Sequence, residues 1–135
     1  MKEHKFENTI IAVDFDGTCV THEFPNVGRD IGAAPVLKRL TDAGAKLILW
    51  TMRSNRPNEG NYLSDAVDWF EKNKIPLWGT QRNPEQDEWT SSPKCYAHIF
   101  IDDAALGCPL VNGLPGERSF VDWAKVERIL FEETS

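Results

Sequence analysis

Asp14 and Asp16 stand two positions apart, with Phe15 between them and Gly17-Thr18 directly after. In an extended backbone alternate side chains share a face, so both carboxylates point toward one site while Phe15 points away. Carboxylates crowded in this way repel one another, and an oxygen-seeking cation such as Mg2+ relieves the repulsion. A second acidic pair, Asp102-Asp103, offers another hard oxygen ligand in Asp102. Asp103 reads as a metal ligand, as a group that orients water, or as a loop anchor. Phosphoryl transfer makes coherent use of these residue types. One aspartate oxygen attacks phosphorus in line, a cation balances charge, and a second carboxyl serves as acid to the leaving alkoxide and then as base to a water. The bland alternative is a pair of solvated turn formers. The Thr18 hydroxyl either closes the acidic loop or stabilises an ordinary turn.

The elements that must deliver these groups are readable from the pattern around them. Residues 9–13 form an unbroken apolar-rich run, expected as a strand covered on both faces, and it ends at Asp14. Residues 19–31 are a loop with Pro25 and Gly28, too short for another domain. Ala33, Val36, Leu37 and Leu40 recur at helical spacing before Gly44, and 46–50 is a second strand ending at Thr51. Leu63, Ala66, Val67 and Phe70 mark a second helix, widened by Trp69. Residues 74–78 offer a weaker strand that Pro76 assigns to an edge. The polar, turn-rich stretch 79–93 carries no long element. Residues 97–101 are another strand, ending at Asp102-Asp103. Residues 109–113 supply a fifth short strand, and Ser119 opens a last helix with Asp122 placed for a reciprocal cap and Trp123, Val126, Ile129 and Leu130 as its buried stripe.

This alternation predicts an α/β fold: a three-layer Rossmann-like domain with an open, mostly parallel sheet of about five strands, helices on both faces and no substantial cap. Right-handed crossovers put the strand ends on one edge, where Asp14, Thr51 and Asp102 are expected to converge. There the Thr51 hydroxyl is placed to grip a phosphoryl oxygen, and Lys94, just ahead of a strand, is placed to neutralise growing negative charge. Each also has an ordinary reading, as a strand-end threonine and an exposed lysine.

Composition bounds the alternatives. With 135 residues, 41% of them hydrophobic, the chain suffices for one domain, 1–135, with a real core. Its 21 Asp+Glu against 15 Lys+Arg, for a formal charge of -6, argue against a broad nucleic-acid backbone binder. No run is long and apolar enough to span a bilayer, and the polar opening Met1 to Lys5 is not followed by a signal-type segment. Three cysteines, Cys19, Cys95 and Cys108, form no CxxC pair, which favours a reducing, cytoplasmic setting. Cys19 lies near Asp14 without a histidine-base signature and reads as loop packing. No glycine-rich dinucleotide or P-loop motif is present.

Asp14-Phe15-Asp16-Gly17-Thr18, Thr51, Lys94 and Asp102-Asp103 together resemble the four ordered motifs of the haloacid-dehalogenase-like hydrolases, over nearly the whole chain. The resemblance implies a small capless phosphatase in which Asp14 forms the phospho-enzyme and Asp16 is the acid/base. It gives phosphate binding to Thr51 and Lys94, and Mg2+ binding to the Asp14 and Asp102 carboxylates and the Asp16 carbonyl. Many relatives carry an acid four residues after the first acid of the last motif. Leu106 stands there in this chain, and Asp103 is the residue left to take that function. Capless relatives often act on large substrates or complete the site with a neighbouring subunit, so a homo-oligomer is one expected arrangement. Arg53, Arg56 and Arg82 are candidate contacts to an acidic leaving group, and equally solvated surface charges. His22, in the loop after the first motif, reads as an exposed histidine or a substrate contact. The expected substrate is a phosphorylated small molecule, with a phosphoprotein as the larger option. Phosphotransfer or mutase activity, a phospho-aspartate signalling receiver and a noncatalytic phosphate-binding adaptor are the competing functions.

Overall fold

The computed structural model describes residues 4–132, so Met1 to Glu3 of the polar opening lie outside the described residues. Chain order is β1 (Ile10–Val13), α1 (Ala33–Asp42), β2 (Lys46–Leu49), β3 (Asn55–Arg56), β4 (Gly60–Asn61), α2 (Tyr62–Lys72), β5 (Gly79–Thr80), β6 (Ile99–Ile101), β7 (Leu110–Val111), β8 (Phe120–Val121) and α3 (Trp123–Phe131). Four strands make one parallel sheet in the order β5-β2-β1-β6. It is an open sheet flanked by helices, without a large capping subdomain.

The two faces of this sheet are built differently. Ile11, Val13, Leu47, Leu49 and Ile101 share one core with Ala33, Val36, Leu37 and Leu40 of α1, Ala66, Trp69 and Phe70 of α2, and Trp123, Val126 and Leu130 of α3. Strand alternation sends Ala12 and Ile48 to the opposite face. There they are buried with Cys95, and Ile10, Trp50, Trp78 and Ala97 pack around them. Helices on both faces were expected. The segment over this second face is instead coil with a single 3-10 turn at Gln86–Glu88. Two buried amides replace a helix's internal hydrogen bonds: Gln86 donates to the Ser92 and Lys94 carbonyls and accepts from Tyr96 N–H, while Asn83 donates to the Tyr96 carbonyl.

Three expected elements are corrected. The strand expected at 74–78 lies later, at Gly79–Thr80, and is an edge strand as Pro76 implied. Residues 73–75 are spent ending α2: Lys74 takes φ 58, and Ile75 N–H returns to the Phe70 carbonyl at 2.9 Å. The expected fifth strand, 109–113, does form at Leu110–Val111. It pairs antiparallel with Phe120–Val121 as a separate ribbon, so the main sheet has four strands. That ribbon uses the residues expected to open the last helix. Ser119 donates to Asn112, and Asp122 is itself the cap, accepting from Lys125 N–H at 3.1 Å.

Candidate active site

Parallel strands bring their carboxyl ends to one edge, and the first and last acidic motifs meet there. Asp14 N–H bonds the Ile101 carbonyl at 3.0 Å, and Trp50 N–H bonds the Val13 carbonyl at 2.9 Å, so the residues after β1, β2 and β6 are neighbours. Carboxylate oxygens of Asp14, Asp102 and Asp103 lie within 4.8 Å of one another. Thr18, fully buried, ties this group together. Its hydroxyl accepts from Asp103 N–H at 3.1 Å and donates to Asp14 Oδ2 at 3.0 Å, with Asp103 Oδ1 at 3.4 Å. The Thr18 carbonyl takes a 2.6 Å hydrogen bond from the buried Trp123 indole, which anchors the acidic loop to α3.

Burial first, and the Asp102 charge second, push the Asp14 carboxyl up from its ordinary 3.8 to about 7. Hydrogen bonds from Phe15 N–H and the Thr18 hydroxyl pull the other way and lose. An acid driven upward by nearby negative charge and by loss of water is an acid that a bound cation would restore to its charged form. Three hard oxygen donors in one cluster therefore suit a divalent cation.

Asp16 sits apart from that cluster in a different role. Both of its oxygens accept from the Arg53 guanidinium, from Nε and Nη2, each at 2.8 Å. The Arg53 side chain is 1% exposed. It also donates to the carbonyls of Pro25, Asn26 and Tyr62, and lies 5.0 Å from the Phe15 ring centroid. The sequence offered Arg53 as a leaving-group contact. The structure gives it to Asp16 and to the 24–26 loop. A cation this deeply buried requires a fixed anion, and because that burial depends on how the 24–26 loop folds back, the pair was not legible in the sequence.

Thr51 is half-buried two residues beyond the end of β2. Its backbone is gripped on both sides by the Gln81 side chain: Thr51 N–H donates to Gln81 Oε1 at 2.8 Å, and Gln81 Nε2 donates to the Thr51 carbonyl at 2.7 Å. The Thr51 hydroxyl accepts from Arg53 N–H at 3.1 Å. Lys94 is exposed in the coil over the second face, where it lines a cavity of about 280 Å³ with Trp89, Tyr96 and Phe100. It forms no ion pair with the acidic cluster. Arg56 pairs with Glu59 and Arg82 with Asp87, both at the surface. Leu106 is fully exposed, and Asp103 is the acid that completes the cluster. Cys19 is buried, donates to the Asp14 carbonyl at 3.3 Å, and has its thiol pushed well up by burial, as a packing residue would.

Sequence reasoning undervalued two groups. Gln81 has φ 63 and reaches a backbone 30 positions away. His22 is not exposed: its side chain is 14% accessible, with Nε2 3.1 Å from Asp103 Oδ2.

The fold and this edge define an α/β domain that carries a cluster of three aspartates after its first and last parallel strands. The chain matches a solved structure of a conserved protein from Bacteroides thetaiotaomicron at 30% identity, covering 96% of this chain and 94% of that one, with a TM-score of 0.73. It belongs to the same family as that protein. No protein-family model and no curated protein matches it.

Proposed function

We propose that the protein is a capless, haloacid-dehalogenase-like phosphatase that hydrolyses phosphomonoesters through an aspartyl phosphate on Asp14. The observation carrying this reading is the cluster of Asp14, Asp102 and Asp103 carboxylates at the strand edge, with the Thr18 hydroxyl bonded to Asp14. The ionised carboxylate is the nucleophile, and the Thr18 hydroxyl, 3.0 Å from Asp14 Oδ2, orients it at the strand end. Asp14 would hold a divalent cation together with Asp102 and the Asp16 carbonyl, and on these oxygen donors alone that cation is Mg2+. When bound, it balances the negative charge shared by carboxylates and phosphoryl oxygens.

In the first step an Asp14 oxygen forms the bond to phosphorus as the ester P–O bond breaks, and Asp16 gives the departing alkoxide its proton. In the second, Asp16 takes a proton from water, whose oxygen bonds to phosphorus as the Asp14–phosphorus link breaks and phosphate leaves. Thr51 and Lys94 are the proposed phosphoryl contacts, with Arg82 and Arg56 at the rim toward the leaving group. Residues 1–135 act as one catalytic domain in the cytoplasm on a phosphorylated small molecule.

A phosphomonoester panel with Mg2+ and with EDTA tests this. Release of phosphate is expected to need the metal and to fall by roughly a thousandfold or more in Asp14→Asn. Undiminished release by that variant would remove Asp14 as the nucleophile. One observation favours a second reading. Asp16 must give up a hydrogen bond to Arg53 before it can handle a proton, and a carboxylate kept in that clamp leaves the aspartyl phosphate standing, as in a phospho-aspartate signalling domain. Rapid-quench kinetics separate the two: a single stoichiometric burst identifies the signalling domain, and sustained turnover the phosphatase.

A further inference from the structure

The two edges of the main sheet differ. β5 is only two residues long, whereas β6, Ile99-Phe100-Ile101, is wholly apolar, holds no proline or charge, and has a strand on one side only among the described residues. Strand edges without such guards pair readily with other chains. Asp14 N–H reaches the Ile101 carbonyl, so Ile101 turns its backbone toward β1, and strand alternation turns the N–H and carbonyl of Phe100 to the open edge. Phe100 is 43% exposed and lines two hollows: the cavity shared with Trp89 and Tyr96 on the coil side, and one of about 270 Å³ with Leu106, Cys108 and Ile129 on the α3 side. Trp89, Tyr96 and Leu106 are exposed as well, so large apolar side chains gather along this one edge.

The strand itself points to the occupant. His98-Ile99-Phe100-Ile101-Asp102 is close to a palindrome in chemical type. Turned end for end about Phe100, it sets Phe100 against Phe100, Ile99 against Ile101, and His98 against Asp102. His98 Nδ1 accepts from Ile10 N–H at 2.9 Å, so the proton of the neutral ring sits on Nε2, which is a donor. His98 is exposed and Asp102 half-buried, and the turned pairing brings a donor to a carboxylate at both ends. A parallel pairing in the same register would oppose Asp102 to Asp102, and a slip of one residue would send the apolar side chains to the wrong faces.

We propose that the open edge of β6 is an interface with a second copy of this chain, the two strands pairing antiparallel about a two-fold axis at Phe100 and joining both four-stranded sheets into one. Each Phe100 N–H donates to the Phe100 carbonyl of the other copy. The contact is independent of the phosphatase reading and stands or falls without it.

Sedimentation velocity of the full-length protein is expected to show a monomer–dimer equilibrium with a Kd on the order of 10 µM, as suits a short edge contact. Between about 1 µM and about 500 µM protein, hydrogen exchange at the Phe100 amide is expected to slow about tenfold. Phe100→Lys and Phe100→Glu each set like charges face to face and are expected to stay monomeric, while an equimolar mixture of the two restores the dimer, because a two-fold axis at this residue opposes the two charges. A wild-type monomer at every concentration leaves the edge to some other strand and overturns the proposal. A Phe100 amide protected at every dilution means that the edge is covered within one chain and overturns it equally. A dimer that survives both substitutions lies on another face, and one lost in each but not restored by mixing lacks this axis; either result overturns it. The wild-type exchange decides even where the variants fail to fold.

Discussion

At the scale of single residues, Asp14 links the chemistry to the stability of the fold. Its carboxyl holds a proton up to about 7, against an ordinary 3.8, so between those values the folded chain binds more protons than the unfolded one. Stability must then fall as pH rises through that window, by a few kcal/mol at most, and level off above it. Melting temperature in EDTA is expected to drop from pH 5 to pH 8, and Asp14→Asn to flatten the drop. Adding a divalent cation is expected to raise the melting temperature more at pH 8 than at pH 5, because only ionised Asp14 gains from it. Equal gains at both pH values would show that the cation does not meet this carboxylate. The acids themselves were legible in the sequence because apolar runs end on them: β1 on Asp14 and β6 on Asp102. His22 was not, because its burial depends on how residues 19–31 turn back, and no periodicity reports that.

At the scale of elements, Arg53 joins three pieces of chain that share no secondary structure: the acidic motif through Asp16, the 24–26 loop through two carbonyls, and the start of α2 through the Tyr62 carbonyl. Removing one member of a buried ion pair strands the other, so Arg53→Ala is expected to cost about 3–5 kcal/mol in urea unfolding. Arg53→Lys keeps the charge but loses the planar fork, and should recover only part of that cost. A loss below 1 kcal/mol in Arg53→Ala would mean that the clamp is not formed in solution. The helices were readable for the usual reason, an apolar stripe at helical spacing, and α1 and α2 begin and end close to where that stripe does. Shorter elements were less readable. Two-residue strands such as β5 and β7 are too brief for alternation to show, and what places them is a partner strand, Ile48-Leu49 for one and Phe120-Val121 for the other.

At the scale of the whole molecule, the sheet has α1, α2 and α3 in one core and a pinned coil over its other face. Alternating strands and helices in sequence suggested helices on both sides, but the stretch that crosses the second face is rich in proline and polar residues, and its order comes from the Gln86 and Asn83 amides rather than from backbone repetition. Gln86→Leu leaves Tyr96 N–H and the Ser92 and Lys94 carbonyls unpaired, for a loss of about 2–3 kcal/mol. Hydrogen exchange is expected to quicken at Tyr96 while the amides of α1 stay protected; uniform quickening would show that the coil and helical core open together. Gln81 adds a geometric consequence. Its amide fastens the start of this coil to Thr51 and to the Arg53 carbonyl, while Gln86 bonds residues 92, 94 and 96, so the turn at Glu88–Trp89 is closed at its base. Extra sequence grafted at that turn would grow outward like an awning from a wall, its footings already tied down by Gln86.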